Sequence, residues 1–511
     1  MDRRAWVLAW SFVALMFVGF WSYGLFDLDE GIYAAATAEM LRNDEWIMVT
    51  LRGQPFFEKP ILVYWAAMAM VKLGIPGEAA LRVPSVLATV GTLAVVAAFA
   101  RRRFSGEIAF WAMLILASSA LFMMLGRMFT PDAMLICFMT AAYLSFWESL
   151  VGDLRWRLAT AATLGLATLA KGPMPVFVFF ALVVYLAWRN PEMRPRMRQG
   201  WVIGTVIFLA IVTTWYVPAM LRSDAFFSEF ILKQNLGRLQ GTDTVHQGPF
   251  WLYVPVVLIG LAPFSLMLAG AWRTCRVTPL EKYLWAWAIV VFVLFSFAGS
   301  KLPHYILPTF PPLAILLAKT GMKAARGVRW VFVAYGLVAS LGLAFALAYL
   351  PEAFSPLYLA AFAAATGAII ALVLGREGAI AASQGFAVAA PLAAVVILLG
   401  PRIYWLHTHL GPRTVATAAR LEGLPVVEYQ TGARGERGKT AHPSMLWYLG
   451  AITQTAETPA ELRAGREGKE LVISRLDRFE GLAAEMRAGG AVVDKVKESG
   501  EFQLYRVDFP K

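Results

Sequence analysis

The sequence predicts an α-helical polytopic membrane protein with a small α/β domain at its C-terminal end. Three observations carry this expectation. Of 511 residues, 59% are hydrophobic and only 16% are charged, with a mean hydropathy of +0.60; soluble domains run near 45–50% apolar and about 25% charged. Apolar runs long enough for spanning helices recur up to residue 399, and beyond residue 410 the composition becomes an ordinary soluble mixture. Disorder and collagen-like structure are excluded, and two cysteines, Cys137 and Cys275, cannot build a disulfide framework or a thiolate zinc site. A formal charge of +12 would suggest nucleic acid in a soluble protein. Here the basic residues sit in short loops between apolar runs, so membrane lipids are the expected neighbours and no nucleic-acid partner is expected.

A helix needs about 20 apolar residues to cross the hydrocarbon core. Such runs lie at 5–25, 82–100, 108–125, 132–150, 158–171, 174–188, 200–220, 250–270, 281–298, 303–318, 329–349, 356–374 and 380–399, thirteen in all. The fifth and sixth are short and flank Lys171-Gly172-Pro173. The first follows Asp2-Arg3-Arg4, is too long for a signal h-region and lacks a small-residue cleavage site, so it reads as an anchor.

Lys and Arg in short loops set the orientation. With the N-terminus in the cytoplasm, the inner loops are Arg101-Arg102-Arg103, 155–157, 189–198, 273–282 and 319–329, all basic; the short outer loops offer Arg127, Lys171 and Lys301 singly. Thirteen spans then place the tail outside. The expected organisation is a membrane domain over 1–408, with its longest outer loop at 26–81, and a soluble domain over 409–511. In the tail, β-like runs at Pro425–Tyr429, Leu471–Ser474, Ala491–Val493 and Phe502–Phe509 alternate with helical stretches near 413–422 and 476–488. No catalytic constellation is visible there, and no internal repeat is evident in the chain.

Polar chemistry collects on the outer side. In Asp27-Leu28-Asp29-Glu30, Asp29 precedes a helical pattern of Ile32, Ala35, Ala36, Glu39 and Met40. It reads as an N-cap satisfying free N–H groups or as a carboxylate left for chemistry. Phe57-Glu58-Lys59-Pro60 is either a surface ion pair or a carboxylate for a cation beside an ammonium for a phosphate oxygen. The segment Ile61–Val71 is too short to cross and suits the membrane interface. Asp132 reads as a first-turn helix residue or a second carboxylate, and His246 as a structural loop histidine or a ligand. Lys301, in Gly299-Ser300-Lys301-Leu302-Pro303-His304-Tyr305, reads as a snorkelling lysine or a phosphate contact. Together, acids, bases and a histidine on one membrane face suit an anionic lipid-linked substrate.

These residues resemble a known family. Asp29-Glu30 with Tyr33, Phe57-Glu58-Lys59-Pro60, Lys171-Gly172, His246 before Pro249-Phe250-Trp251, and Lys301-Leu302-Pro303-x-Tyr305 are similar to the lipid A aminoarabinose transferases, within the superfamily that includes protein O-mannosyltransferases. The resemblance covers about residues 1–320. It implies a GT-C fold and an inner-membrane glycosyltransferase with a periplasmic site and C-terminal domain, acting as a monomer. The donor would be a sugar on a polyprenyl, in bacteria undecaprenyl, phosphate and the acceptor lipid A. It further implies Asp29 as the essential first-loop carboxylate, Asp132 as a second one, and Glu58 with His246 holding a divalent metal, zinc in that family. Lys59 and Tyr305 would bind the lipid phosphate, with Arg238 and Lys301 as further phosphate contacts. Gly31, where the family often has a polar residue, and a tail that does not align are the departures. The alternatives are a relative moving another sugar to lipid, glycan or protein, and a transporter. Transporters place ionisable residues near the midplane of repeated halves, a pattern absent from this sequence.

Overall fold

The structure, a computed structural model, describes residues 3–26, 29–237, 248–320, 412–431, 442, 444–450, 453–463, 466–499 and 502–509. Each of the first ten expected runs is represented by helix. The runs at 329–349, 356–374 and 380–399 lie outside the described residues.

In chain order the first helices are α1 (Arg3–Met16), α2 (Glu30–Arg42), α3 (Leu62–Lys72), α4 (Gly77–Arg103), α5 (Gly106–Ala117) and α6 (Ala120–Leu125). They are followed by α7 (Asp132–Val151), α8 (Trp156–Lys171), α9 (Met174–Arg189), α10 (Arg194–Arg198) and α11 (Trp201–Arg222). Among the described residues, α4, α7, α11 and Pro279–Phe297 are each long and apolar enough to cross a membrane unbroken. Other runs are interrupted for local reasons. The run at 108–125 divides at Ser118-Ser119, where the Ser119 hydroxyl accepts from Phe122 N–H and starts α6 afresh. The run at 250–270 becomes Tyr253–Gly260 and Phe264–Thr274, bent by 107°, with Pro263 between them removing a backbone donor.

α7 and α8 are joined by a four-residue link, 152–155, and therefore run antiparallel. At about 1.5 Å per residue, the 20 residues of α7 reach about 30 Å, the thickness of the hydrocarbon core. Its far end is closed by Glu148, which accepts from Arg103 Nε at 2.7 Å. Asp132 marks the other end. α11 lies close against α8: a Cβ at Gly165 would stand 3.0 Å from Ile211 Cγ2, so a larger residue there would push the helices apart.

The outer loop carries structure that the sequence did not signal. Thr50–Leu51 (β1) pairs with Gln54–Pro55 (β2) in a hairpin, with Arg52 and Gly53 at φ 55° and 74°. Glu39 of α2 fixes that turn, accepting from Arg52 N–H at 2.7 Å and Gly53 N–H at 2.6 Å. α3 is the short apolar helix expected after Pro60, with Tyr64, Ala67 and Met68 fully buried against the outer-loop core.

The C-terminal domain is a five-stranded mixed sheet. Its strands are β3 (Val426–Tyr429), β4 (Gln454–Ala456), β5 (Gly468–Arg475), β6 (Val492–Ser499) and β7 (Phe502–Phe509), in the order β4-β3-β5-β7-β6. β3 runs parallel to β4 and β5, while β7 runs antiparallel to β5 and β6. The four strands and two helices expected from the sequence are present. β4, three residues long, was not legible.

Candidate active site

A cavity opens at the Asp132 end of the α7–α8 pair. Its polar lining comprises Glu58, Lys59, Asp132, Lys171, Gln234, Ser300 and Tyr305; Met174, Phe177, Leu294 and Phe295 supply an apolar wall. Chain punctuation places each group. Pro131 precedes α7 and leaves Asp132 in its first turn. Lys171 is the last residue of α8 because Gly172, at φ 93°, turns the chain out of the helix. Pro303 opens a 3₁₀ turn over Pro303–Thr309 that carries His304 and Tyr305.

Asp132 and Lys171 form an ion pair, both largely buried. The Lys171 ammonium also lies 4.6 Å from the centroid of the Tyr305 ring, a cation–π contact. His304 approaches the same carboxylate, Nε2 to Oδ2 at 3.8 Å, and meets Tyr305 edge to face at 4.9 Å. Lys59 is 9% exposed and donates to the Glu58 carbonyl at 3.3 Å. It acts on Asp132 electrostatically, together with Lys171 and His304.

Asp29 and Glu30 are adjacent in sequence and opposite in circumstance. Glu30 is fully buried and takes a two-pronged contact from Arg82, Nε to Oε1 at 2.8 Å and Nη2 to Oε2 at 2.7 Å. It also accepts from the N–H groups of Phe26 and Phe129. Arg82 spends its remaining donors on the carbonyls of Phe20, Tyr23 and Gly24. Asp29 occupies the position before α2, yet its side chain makes no capping hydrogen bond and is exposed. The N-cap reading of Asp29 therefore does not hold, and its carboxylate remains available. Burial, then Tyr64, then the carboxylates of Asp29, Glu58 and Asp132 hold the Tyr33 phenol well above its ordinary range. Tyr33 thus stays a neutral group amid three acids.

Of the residues singled out in the sequence, Glu58, Lys59, Asp132 and Tyr305 line one cavity, and Asp29 lies within electrostatic reach of Tyr33 and His304. Lys301 is not part of that lining; its ammonium donates to the Ala298 carbonyl at 2.6 Å. Arg238 and His246 lie outside the described residues. Among the described residues no three His, Cys, Asp or Glu side chains gather as a metal site. Glu58 lines the cavity and makes no ion pair among the described residues.

Sequence reasoning gave no role to Lys171, His304, Gln234, or the Glu30–Arg82 pair. Lys171 is the lone cation of its outer loop, a signal that could have been used. Glu30 and Arg82 are 52 positions apart, and no local pattern joins them. Gln234 lies in an irregular helix over Phe227–Gly237, and its Oε1 is buried without a partner among the described residues.

Residues 58–217 match the family described as dolichyl-phosphate-mannose-protein mannosyltransferase. The undecaprenyl phosphate-alpha-4-amino-4-deoxy-L-arabinose arabinosyl transferase of Edwardsiella ictaluri is 31% identical over 61% of this chain and 59% of its own length. The enzyme of the same name from Aeromonas salmonicida is 30% identical over 66% and 65%. The chain thus spans about three fifths of the length of the curated relatives it matches. The crystal structure of ArnT from Cupriavidus metallidurans bound to undecaprenyl phosphate superposes with a TM-score of 0.80 at 21% identity, over 99% of this chain and 98% of that one. The fold is that of these membrane glycosyltransferases, and the resemblance carried by the motifs is borne out.

Proposed function

We propose that this chain, similar in sequence and fold to the aminoarabinose transferases, is an integral-membrane glycosyltransferase that moves 4-amino-4-deoxy-L-arabinose from undecaprenyl phosphate to a lipid A phosphate. One observation carries the reading: Lys59, Lys171 and Tyr305 line the same cavity as an apolar wall. That combination suits a phosphate joined to a hydrocarbon tail. The relatives named for this transfer support the sugar and the carrier, and the likeness to ArnT supports the fold in which it occurs.

In the reaction, the bond from the anomeric carbon to the phosphate oxygen breaks and its electron pair stays on that oxygen. An acceptor oxygen then bonds to the same carbon. The sugar ring passes through an oxocarbenium-like state, as in glycoside hydrolysis, while negative charge grows on the departing phosphate. Lys59, Lys171 and the Tyr305 hydroxyl stabilise that charge in a partly dry site. An ammonium has three donors, so Lys171 can hold Asp132 with one and reach the phosphate with another. Asp132 is the group that positions Lys171. The Asp29 carboxylate steadies the ring cation or orients the acceptor; a lipid A phosphate is already ionised and needs no base. A divalent ion held by Glu58 and His246 would add positive charge beside the leaving group, and no step above depends on it. The bias of Lys and Arg towards the short inner loops supports a site on the periplasmic side of the inner membrane.

A second reading, transfer of another sugar from the same class of carrier, is favoured by the match to the mannosyltransferase family. Protein in nanodiscs with each polyprenyl-phosphate sugar separates the two. The proposed activity releases undecaprenyl phosphate from the aminoarabinose donor only when lipid A is present. Turnover with a hexose donor alone would replace the substrate assignment.

A further inference from the structure

The described residues of the C-terminal domain supply none of the cavity lining, yet they touch both segments of the outer loop that lead to the site. We infer that this domain positions the first outer loop for catalysis, holding the approach to Asp29 through Tyr448 and the approach to Glu58–Lys59 through Glu428. The inference rests on the transferase reading above.

The first grip is the helix Met445–Leu449 seated on the outer-loop core, against which Trp447 and Tyr448 pack. The Tyr448 hydroxyl accepts from Leu25 N–H at 2.7 Å and donates to Glu78 Oε1 at 3.2 Å. Arg413, from the helix Pro412–Glu422, reaches the same Glu78 oxygen at 3.3 Å. Leu25 stands between Gly24, whose carbonyl is held by Arg82, and Phe26, whose N–H is held by Glu30. A single phenol thus ties the domain to the backbone just before Asp29.

The second grip is Arg52 Nη2 on Glu428 Oε1 at 3.1 Å. Glu428 is fully buried in β3, and within the domain it also accepts from Thr431, Thr453 and His442 N–H, so it is a fixed anchor. Arg52 sits at the hairpin turn whose backbone is fastened to Glu39 of α2. The strand leaving that turn runs straight into Phe57-Glu58-Lys59. The same loop is thus anchored from outside on the way into each of its reactive groups. Lys171, Tyr305 and the apolar wall belong to the membrane helices instead. Loosening the grip should therefore impair the chemical step more than donor retention.

The test uses the full-length protein in nanodiscs as Tyr448→Phe, Arg52→Met, the pair combined, and Arg52→Lys. Tyr448→Phe keeps the ring that packs and removes only the hydroxyl. Hydrogen exchange is read in peptides covering 24–30 and 50–60, and kcat and KM for the lipid-linked sugar are measured on the same samples. The combined variant is expected to exchange faster in both peptides and to lose about tenfold or more in kcat, with KM within about twofold. Arg52→Lys is expected to restore most of the kcat lost by Arg52→Met. Unchanged exchange overturns the grip, and faster exchange with unchanged kcat overturns the positioning role. A wild-type protein that transfers no sugar overturns the transferase reading itself; the exchange arm then decides the grip alone.

Discussion

Asp132 opens α7, Lys171 closes α8, and the antiparallel packing of the two helices brings this carboxylate and ammonium into contact beside Tyr305. Neither charge is stable alone in such surroundings. Lys171→Met should therefore lower stability by about 3–5 kcal/mol, the usual cost of stranding one member of a buried pair. The double variant Asp132→Asn with Lys171→Met should recover part of the loss. Thermal unfolding in detergent across the four proteins checks this, and strictly additive losses would mean that the pair is not coupled.

Asp29→Asn should behave in the opposite way. A working N-cap contributes about 0.5–2 kcal/mol, but Asp29 is exposed and caps nothing. The melting temperature should stay where it is while transfer is lost. A fall in melting temperature with transfer retained would restore the capping role.

Lys59→Ala removes an ammonium that is 9% exposed beside the expected leaving group. A hydrogen bond to a charged group is worth about 1.5–3 kcal/mol, so kcat/KM should fall by about ten- to a hundredfold. Steady-state kinetics against donor concentration reads this directly.

Arg82→Met strands the Glu30 carboxylate and three backbone carbonyls at once. Stability should fall by at least about 3–5 kcal/mol, seen as poor accumulation in the membrane and early unfolding. Normal yield and melting temperature would show that the pair is dispensable.

Gln234→Ala removes an acceptor whose oxygen has no partner among the described residues. No stability should be lost. If Gln234 receives a sugar hydroxyl in the cavity it lines, KM for the donor should rise several-fold with the melting temperature unchanged. A lowered melting temperature would assign Gln234 to the scaffold.

Much of this architecture was legible because the bilayer imposes a length on every apolar run and a charge bias on every short loop. The C-terminal strands at Val426–Tyr429 and Phe502–Phe509 were legible because their apolar residues are bounded by turn residues. The hairpin at 50–55 was not, since two residues per strand carry no periodicity and its shape depends on Glu39 reaching back to its turn. Glu58 and Lys59 could be named because proline and aromatics frame them. Their alignment with Asp132 and Lys171 depends on helix packing across more than a hundred residues, which no window of sequence contains. Asp29 shows the limit most plainly: its spacing matched a cap, and only the fold shows that Glu30 takes the buried contacts while the Asp29 side chain makes no capping hydrogen bond.

The most direct test is the mass of lipid A from a host that makes the aminoarabinose lipid donor and lacks its own transferase, with and without this gene. The expected result is a gain of one aminopentose, absent when the gene carries Asp29→Asn or Lys59→Ala. Unmodified lipid A, with the wild-type protein shown to be folded in the membrane, would contradict the assignment of this donor and acceptor.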